Sequence, residues 1–251
     1  MKVKDIVRFL DEIAPFDTAL GFDNAGFLVG DGEADVTGVT VALDCYNAVI
    51  DEAVKNGDNL IITHHPLIFD PIKNLYSDTP LYRLANEGIS LVSAHTNLDM
   101  AVGGVNDELC RRIRLVNIKF QNKTAENAFE FRSGETKVPM PADEFARHLS
   151  ECLSVRTKYS VGKTPIKTVA VCSGSGGSLL GEVEALGVDA FVTADCKHSH
   201  FVEADRVGLS LFDCGHFNTE DVIVEPLAQK LKTAFPNLEV HTSHYSNIKY
   251  A

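Results

Sequence analysis

The residues of this chain that could do chemistry sit in a pattern. His64 and His65 follow the apolar run NLIIT, and His95 follows ISLVSA, with Thr96, Asn97 and Asp99 close behind. Asp44 ends VTVALD, Asp195 ends VDAFVTAD, and His216 ends LSLFDCGH with Glu220 just after it. Imidazole and carboxylate donors without thiolates suit Zn, Mn, Fe, Co or Ni. His216 and Glu220 are four apart, so a helical turn puts them on one face. A glutamate there could bridge two ions about 3.5–4 Å apart, the spacing of two-metal hydrolytic sites. Adjacent histidines on an extended chain point to opposite sides, and a turn after the run could swing both into one cavity. Taken singly, each group also has a simpler reading. A buried His can be a hydrogen-bonded core residue, and HHP can be a polar turn.

Their shared placement at the ends of apolar runs leads back to the elements that must carry them. Val3, Ile6, Val7, Leu10 and Ile13 recur at helical spacing, which predicts a helix over 3–14. Strands are expected at 39–44, 59–65 and 89–96, alternating with helices at 46–56, 80–87 and from 103. Gly57 is placed to stop the first of these helices. The rhythm repeats with strands at 167–174, 188–195 and 209–216 and helices at 178–186, 199–207 and 219–233, the last interrupted near Pro226. The joining stretch 114–166 holds the strand-like pieces RLVNIKFQ and NAFEFRSG and a helix at 141–153. Strands apolar on both faces and alternating with helices imply parallel sheets covered by helices. The expectation is an α/β protein of two similar units, 1–125 and 126–251, possessing an internal duplication and partly intertwined. In open α/β sheets ligands bind beyond the carboxyl ends of the strands, so two such units could gather the donors in a cleft.

Composition narrows the function classes. The chain has 251 residues with a formal net charge of −12. That charge repels nucleic-acid backbones, and no Lys/Arg run exceeds Arg111-Arg112, so nucleic acid is not an expected partner. No stretch reaches the roughly 18 apolar residues of a membrane span. The six cysteines are scattered without a CxxC pair, which reads as reduced, mostly buried thiols in a cytoplasmic-type protein. SGSGG (173–177) follows a strand and precedes a helix; its N–H groups could cradle phosphate, or it is simply a tight turn. His148 reads as solvent or interface, and His241 and His244 have no obvious partner in the sequence.

GFDNAGFLVG (21–30), THHPLIF (63–69), SAHTNLDMAVGGVND (93–107) and the stretch from DAFVTAD to DCGHFNTE (189–220) resemble the Nif-three-like dinuclear-metal family, the GTP cyclohydrolase type-two homologues. The resemblance implies two divalent ions per chain, held by His64, His65, Asp99, His216 and Glu220, with Glu220 shared. It implies that His95 orients a ligand or water, and His95 is the candidate for a catalytic proton shuttle. It also implies two α/β domains with the metals in the cleft between them, and a ring-shaped homohexamer. The family pattern is departed from at Phe22, where Trp is usual, at TAD (193–195) for TGD, and at Ser199, where His is common with His200 next door. These leave the roles of His198, Ser199 and His200 open.

The activity implied is hydrolytic opening of the guanine ring of GTP, with metal-bound hydroxide attacking C8. Three readings stay open: a metal-dependent hydrolase acting on GTP, as the resemblance implies, or on another nucleotide-like substrate; a metal storage or delivery protein; or a scaffold with structural metals. Five protein ligands on two ions leave open positions, which argues against purely structural metals.

Overall fold

The computed structural model describes residues 1–162 and 165–249. The chain forms two compact units, Met1–Ala101 joined by Ile223–Lys249, and Val102–Val222.

The first unit contains α1 (Val3–Ile13), β1 (Gly26–Val29), β2 (Val39–Ala42), α2 (Asn47–Asn56), β3 (Leu60–Thr63), α3 (Pro80–Glu87), β4 (Ser90–Ser93) and α4 (Thr96–Met100). In the second lie α5 (Val105–Arg112), β5 (Val116–Ala125), β6 (Ala128–Met140), α6 (Ala142–Leu153), β7 (Lys158–Tyr159), β8 (Ile166–Val171), α7 (Leu180–Ala185), β9 (Ala190–Thr193), α8 (His198–Val207), β10 (Ser210–Asp213) and α9 (His216–Glu220). The chain then returns to the first unit with α10 (Val224–Ala234) and β11 (Val240–Ser243).

The first sheet has the order β1-β4-β3-β2-β11. β11, β2, β3 and β4 pair in parallel, and β1 closes one edge antiparallel. Every residue of β2, β3 and β4 is buried, as continuous apolar strands covered on both faces must be. On one face Ala42, Ile61 and Leu91 pack with Val49, Ile50 and Ala53 of α2 and Leu84 of α3. Gly57 ends α2 at φ 78°, in the left-handed region that glycine enters without a Cβ penalty. Thr79 caps α3 by accepting from the Tyr82 N–H, with Pro80 in the first turn.

The second sheet runs β5-β6-β8-β9-β10-β7. Only β8-β9 and β9-β10 pair in parallel; β5-β6, β6-β8 and β10-β7 are antiparallel. The expectation of mainly parallel sheets therefore holds for the first sheet, while the second is mixed. The cause is the long β5/β6 hairpin, built from the pieces read as joining segments. Ala170, Phe191 and Leu211 pack with Leu180 and Val183 of α7 and Ala204 of α8. Phe212, the next residue along β10, meets Phe145 of α6 edge-on with ring centroids 5.1 Å apart. Successive strand side chains face opposite ways, so helices cover both faces of this sheet too.

The division between units differs from the sequence expectation. Residue 125 ends β5 inside the hairpin of the second unit, and the last segment belongs to the first unit because β11 pairs with β2 in register, Val240 opposite Val39. The interruption near Pro226 is resolved as α9, a 3₁₀ turn and then α10, with Pro226 in the first turn of α10. There a missing N–H costs no helical hydrogen bond.

Candidate functional site

Register decides where the donors emerge. In the first unit Ala42 lies opposite Thr63, and Thr63 opposite Ser93. The three strands end level, so Asp44, His64, His65 and His95 all leave the sheet at one edge. In the second unit Val171 lies opposite Val192 and Thr193 opposite Asp213. Residues 172–174, Asp195 and His216 leave that sheet together in the same way.

The first unit collects three imidazoles. His64, His65 and His95 each present a ring nitrogen within 4.8 Å of the other two. Each ring is held through Nδ1: His64 against the Ala94 carbonyl, His65 against Asp44 and His95 against Asp23, all at 2.8 Å. An Nδ1–H donated to oxygen leaves the lone pair of a neutral imidazole on Nε2, the tautomer a metal ligand requires. Nε2 of His64 lies 3.6 Å from Asp99 Oδ1. Asp99 is placed by α4, whose turn follows β4 directly and whose Leu98 and Met100 are buried.

Asp23 is the member of this cluster that sequence reasoning missed. Its carboxylate accepts from His95, the Asn24 N–H, the Thr96 N–H (3.0 Å) and the Thr96 hydroxyl (2.5 Å). Burial pushes its pKa up, but the bonds from His95 and Thr96 outweigh burial and hold it at about 2. It therefore stays anionic beside His95. GFDN carries no periodicity and lies 72 residues from His95; it stood out only as part of the motif GFDNAGFLVG, with nothing local to say what the acid holds.

The second unit contributes a histidine and a carboxylate. His216 Nδ1 is 2.7 Å from Asp195, and its Nε2 is 2.9 Å from Glu220. Glu220 is buried at 3 % exposure. Asp195 has φ 51°, a left-handed conformation uncommon outside glycine. Gly174, at φ 58°, makes room for the carboxylate: a Cβ there would stand 2.0 Å from Glu220 Oε1.

The glycine loop is a brace. Ser173 N–H donates to Asn106, Gly174 N–H to Thr219 and Gly176 N–H to Thr193. Those three donors face inward, so the tight-turn reading of 173–177 holds over the phosphate cradle. His198 and His200 lie on α8 and belong to no donor group among the described residues; the His200 ring packs against Gly177. His148 bonds the Ile113 carbonyl at 2.9 Å. His241 and His244 do have partners, Asp58 at 3.0 Å and Glu225 at 3.1 Å.

All six cysteines are free thiols. Burial pushes Cys45, Cys110, Cys196 and Cys214 up to about 12, which keeps them protonated. The donor chemistry at the strand ends is thus nitrogen and oxygen, and it fits divalent metal ions. No helix of the described residues is long and apolar enough to cross a membrane.

Fold and donors together define a class: two-unit α/β proteins that present imidazole and carboxylate groups from the ends of parallel strands. The family model described as Duf34/NIF3 (NGG1p interacting factor 3) matches residues 1–248, and the chain belongs to that family. It is 35% identical over 240 residues to a protein of Clostridium perfringens named GTP cyclohydrolase 1 type 2 homolog, covering 92% of each chain. Among solved structures, a hypothetical protein of Staphylococcus aureus matches with a TM-score of 0.94 at 30% identity, over 100% of this chain and 99% of that one. Reduced HcgD from Methanocaldococcus jannaschii matches with a TM-score of 0.80 at 30% identity, over 96% and 97%.

Proposed function

We propose that this protein is a metal-dependent hydrolase carrying two divalent ions, with His64, His65 and Asp99 of the first unit and His216 and Glu220 of the second as ligands. The observation that carries the reading is the bracing of the histidines: His64, His65, His95 and His216 all have Nδ1 against an oxygen acceptor. A merely structural histidine needs no such uniform choice of tautomer. Glu220 would be the carboxylate that the two ions share, as the family resemblance implies.

Two bound ions would supply hydroxide at neutral pH, by lowering the pKa of water to about 7. His95 then acts as the proton carrier. Its Nδ1–H is anchored on Asp23, which fixes the orientation of the ring, and Nε2 exchanges protons with the substrate or its leaving group. The name of the clostridial relative makes GTP the first substrate to try, with attack at C8 of guanine, and other nucleotides the next. A ring-shaped hexamer in the cytoplasm completes the proposal; a monomer by light scattering at micromolar concentration would overturn the ring.

The test is elemental analysis of tag-free protein, followed by GTP turnover after reconstitution with Mn, Fe, Zn and Ni. The expected result is about two ions per chain and a metal-dependent ring-opened product, with both metal and product diminished in Glu220→Ala while the variant stays folded. Glu220→Ala with full metal content sinks the ligand assignment. Two ions with no turnover of GTP or phosphoesters sinks the hydrolase reading and turns attention to metal storage and delivery.

A further inference from the structure

Beside the three-histidine cluster the first unit exposes two aromatic rings. Phe22 is 63% and Phe69 46% exposed. Their centroids are 6.3 Å apart with planes 25° from parallel, and Phe69 also meets the edge of His95 at 6.0 Å. Leaving two phenylalanines open to water costs hydrophobic free energy that a tighter turn would recover. They lie on separate segments, and both segments are tied to the cluster. Asp23, adjacent to Phe22, is fixed to His95 and Thr96. Asn24 donates its side-chain amide to the Ile68 carbonyl at 2.7 Å, next to Phe69. The hydrogen bonds therefore hold the two rings in register with each other and with the one histidine assigned to carry protons.

We propose that Phe22 and Phe69 form a stacking platform for a planar heteroaromatic ring of the purine type, delivered to His95 as a free nucleoside or nucleotide. The proposal deepens the hydrolase reading and rests on it for the role of His95. Nearly parallel, exposed rings add another flat π-system readily, and stacking requires no particular hydrogen-bond pattern. The net charge of −12 favours a small nucleotide over a nucleic-acid chain as the occupant. Recognition here is by the base, so phosphate contributes little to binding at this surface.

The chain has no tryptophan, which supplies the assay. Phe22→Trp keeps an aromatic at the platform and makes it the sole indole, whose emission a stacked purine quenches. Guanosine and GTP are expected to quench F22W with affinities within a few-fold of each other, and inorganic triphosphate not at all. Adding Phe69→Ala should weaken guanosine binding about ten-fold or more, the scale of a lost base stack, whereas Phe69→Tyr should restore it. Absence of quenching by guanosine overturns the platform. So does equal binding with Phe69→Ala or Phe69→Leu, since bulk without a π face would then suffice. Emission that shifts with protein concentration and not with guanosine would identify a second copy of the chain as the occupant and overturns it too. The two readings separate cleanly: F22W/E220A should still be quenched by guanosine, so quenching without turnover in metal-loaded F22W discards the hydrolase and keeps the platform. Turnover by wild type that survives F22A/F69A with unchanged KM keeps the hydrolase and discards the platform.

Discussion

The two units use one scheme with different donors. In each, three parallel strands end level, and the third leads into a five-residue helix: α4 after β4, α9 after β10. Each places a histidine and an acid four apart there, His95 with Asp99 and His216 with Glu220. In each, a carboxylate braces a histidine that follows a strand: Asp44 for His65, Asp195 for His216. The difference lies at the first strand. After β2 the first unit places Asp44, which holds an imidazole. After β8 the second places Gly174, which yields space to the Glu220 carboxylate. The first unit thereby gathers three imidazoles with one carboxylate, Asp99, and the second centres on the buried carboxylate of Glu220.

Gly174→Ala attacks that difference most directly and should have the largest effect. At φ 58° an alanine costs about 1–2 kcal/mol. The atom it meets is the far end of the Glu220 side chain, 2.0 Å from the new Cβ. A side-chain tip moves more easily than backbone, so the fold should survive and the ligand shift. The expected outcome is a melting temperature lower by a few degrees and near-complete loss of metal from the purified variant. Full metal content would show that Glu220 does not need this glycine.

Asp44→Asn and Asp195→Asn sharpen the comparison at the braces. Removing an acid that orients a histidine ligand usually costs about 10–100-fold in metal affinity. Asp195 should cost more, because His216 is the only imidazole in its unit's donor pair, whereas His65 has His64 beside it. Competition titration with a chelator of known affinity reads both; equal losses would dissolve the asymmetry.

Asp23→Asn tests the brace on His95, which is not assigned as a ligand. Asp23 is lowered to about 2 from an ordinary value of 3.8. A depressed carboxylate stabilises the fold above its unfolded pKa, and that contribution disappears as pH falls through the folded pKa. The difference amounts to about 2 kcal/mol. Urea unfolding of metal-free protein should therefore show the wild type ahead by about that much from pH 4.5 upward, with the gap closing towards pH 2. A gap unchanged across that range would show that the carboxylate's charge is not what stabilises.

These residues also mark what could be read from the sequence. The parallel strands were legible because burial on both faces demands continuous apolar runs, and their polar successors stood out against that background. β1 and β11 were not. The first is a four-residue edge strand with a bulge, and the second, VHTS, has a single apolar residue, its His241 reaching Asp58, 183 residues away. The unit boundary was hidden for the same reason: β11 pairs with β2 across the whole second unit, and no local pattern encodes a return of that length. The ligand candidates were legible by type and place, but the acid holding His95 was not, since a brace is defined by a contact and not by a motif.

The smallest effect is expected where a histidine-rich turn looks functional and the donor chemistry is elsewhere. HSH (198–200) opens α8, and His200 Nδ1 accepts weakly from the Lys197 N–H at 3.3 Å. Its ring fills the space over Gly177, where a Cβ would stand 2.3 Å from it. Partly exposed packing of this kind is worth roughly 1 kcal/mol or less. His200→Gln should lower stability by that amount at most, with metal content and the affinity for added Mn or Zn unchanged. If metal content fell as it should in Asp195→Asn, the second unit's donor set would have to extend onto α8, and the contrast between a nitrogen-rich first unit and a carboxylate-centred second would no longer stand.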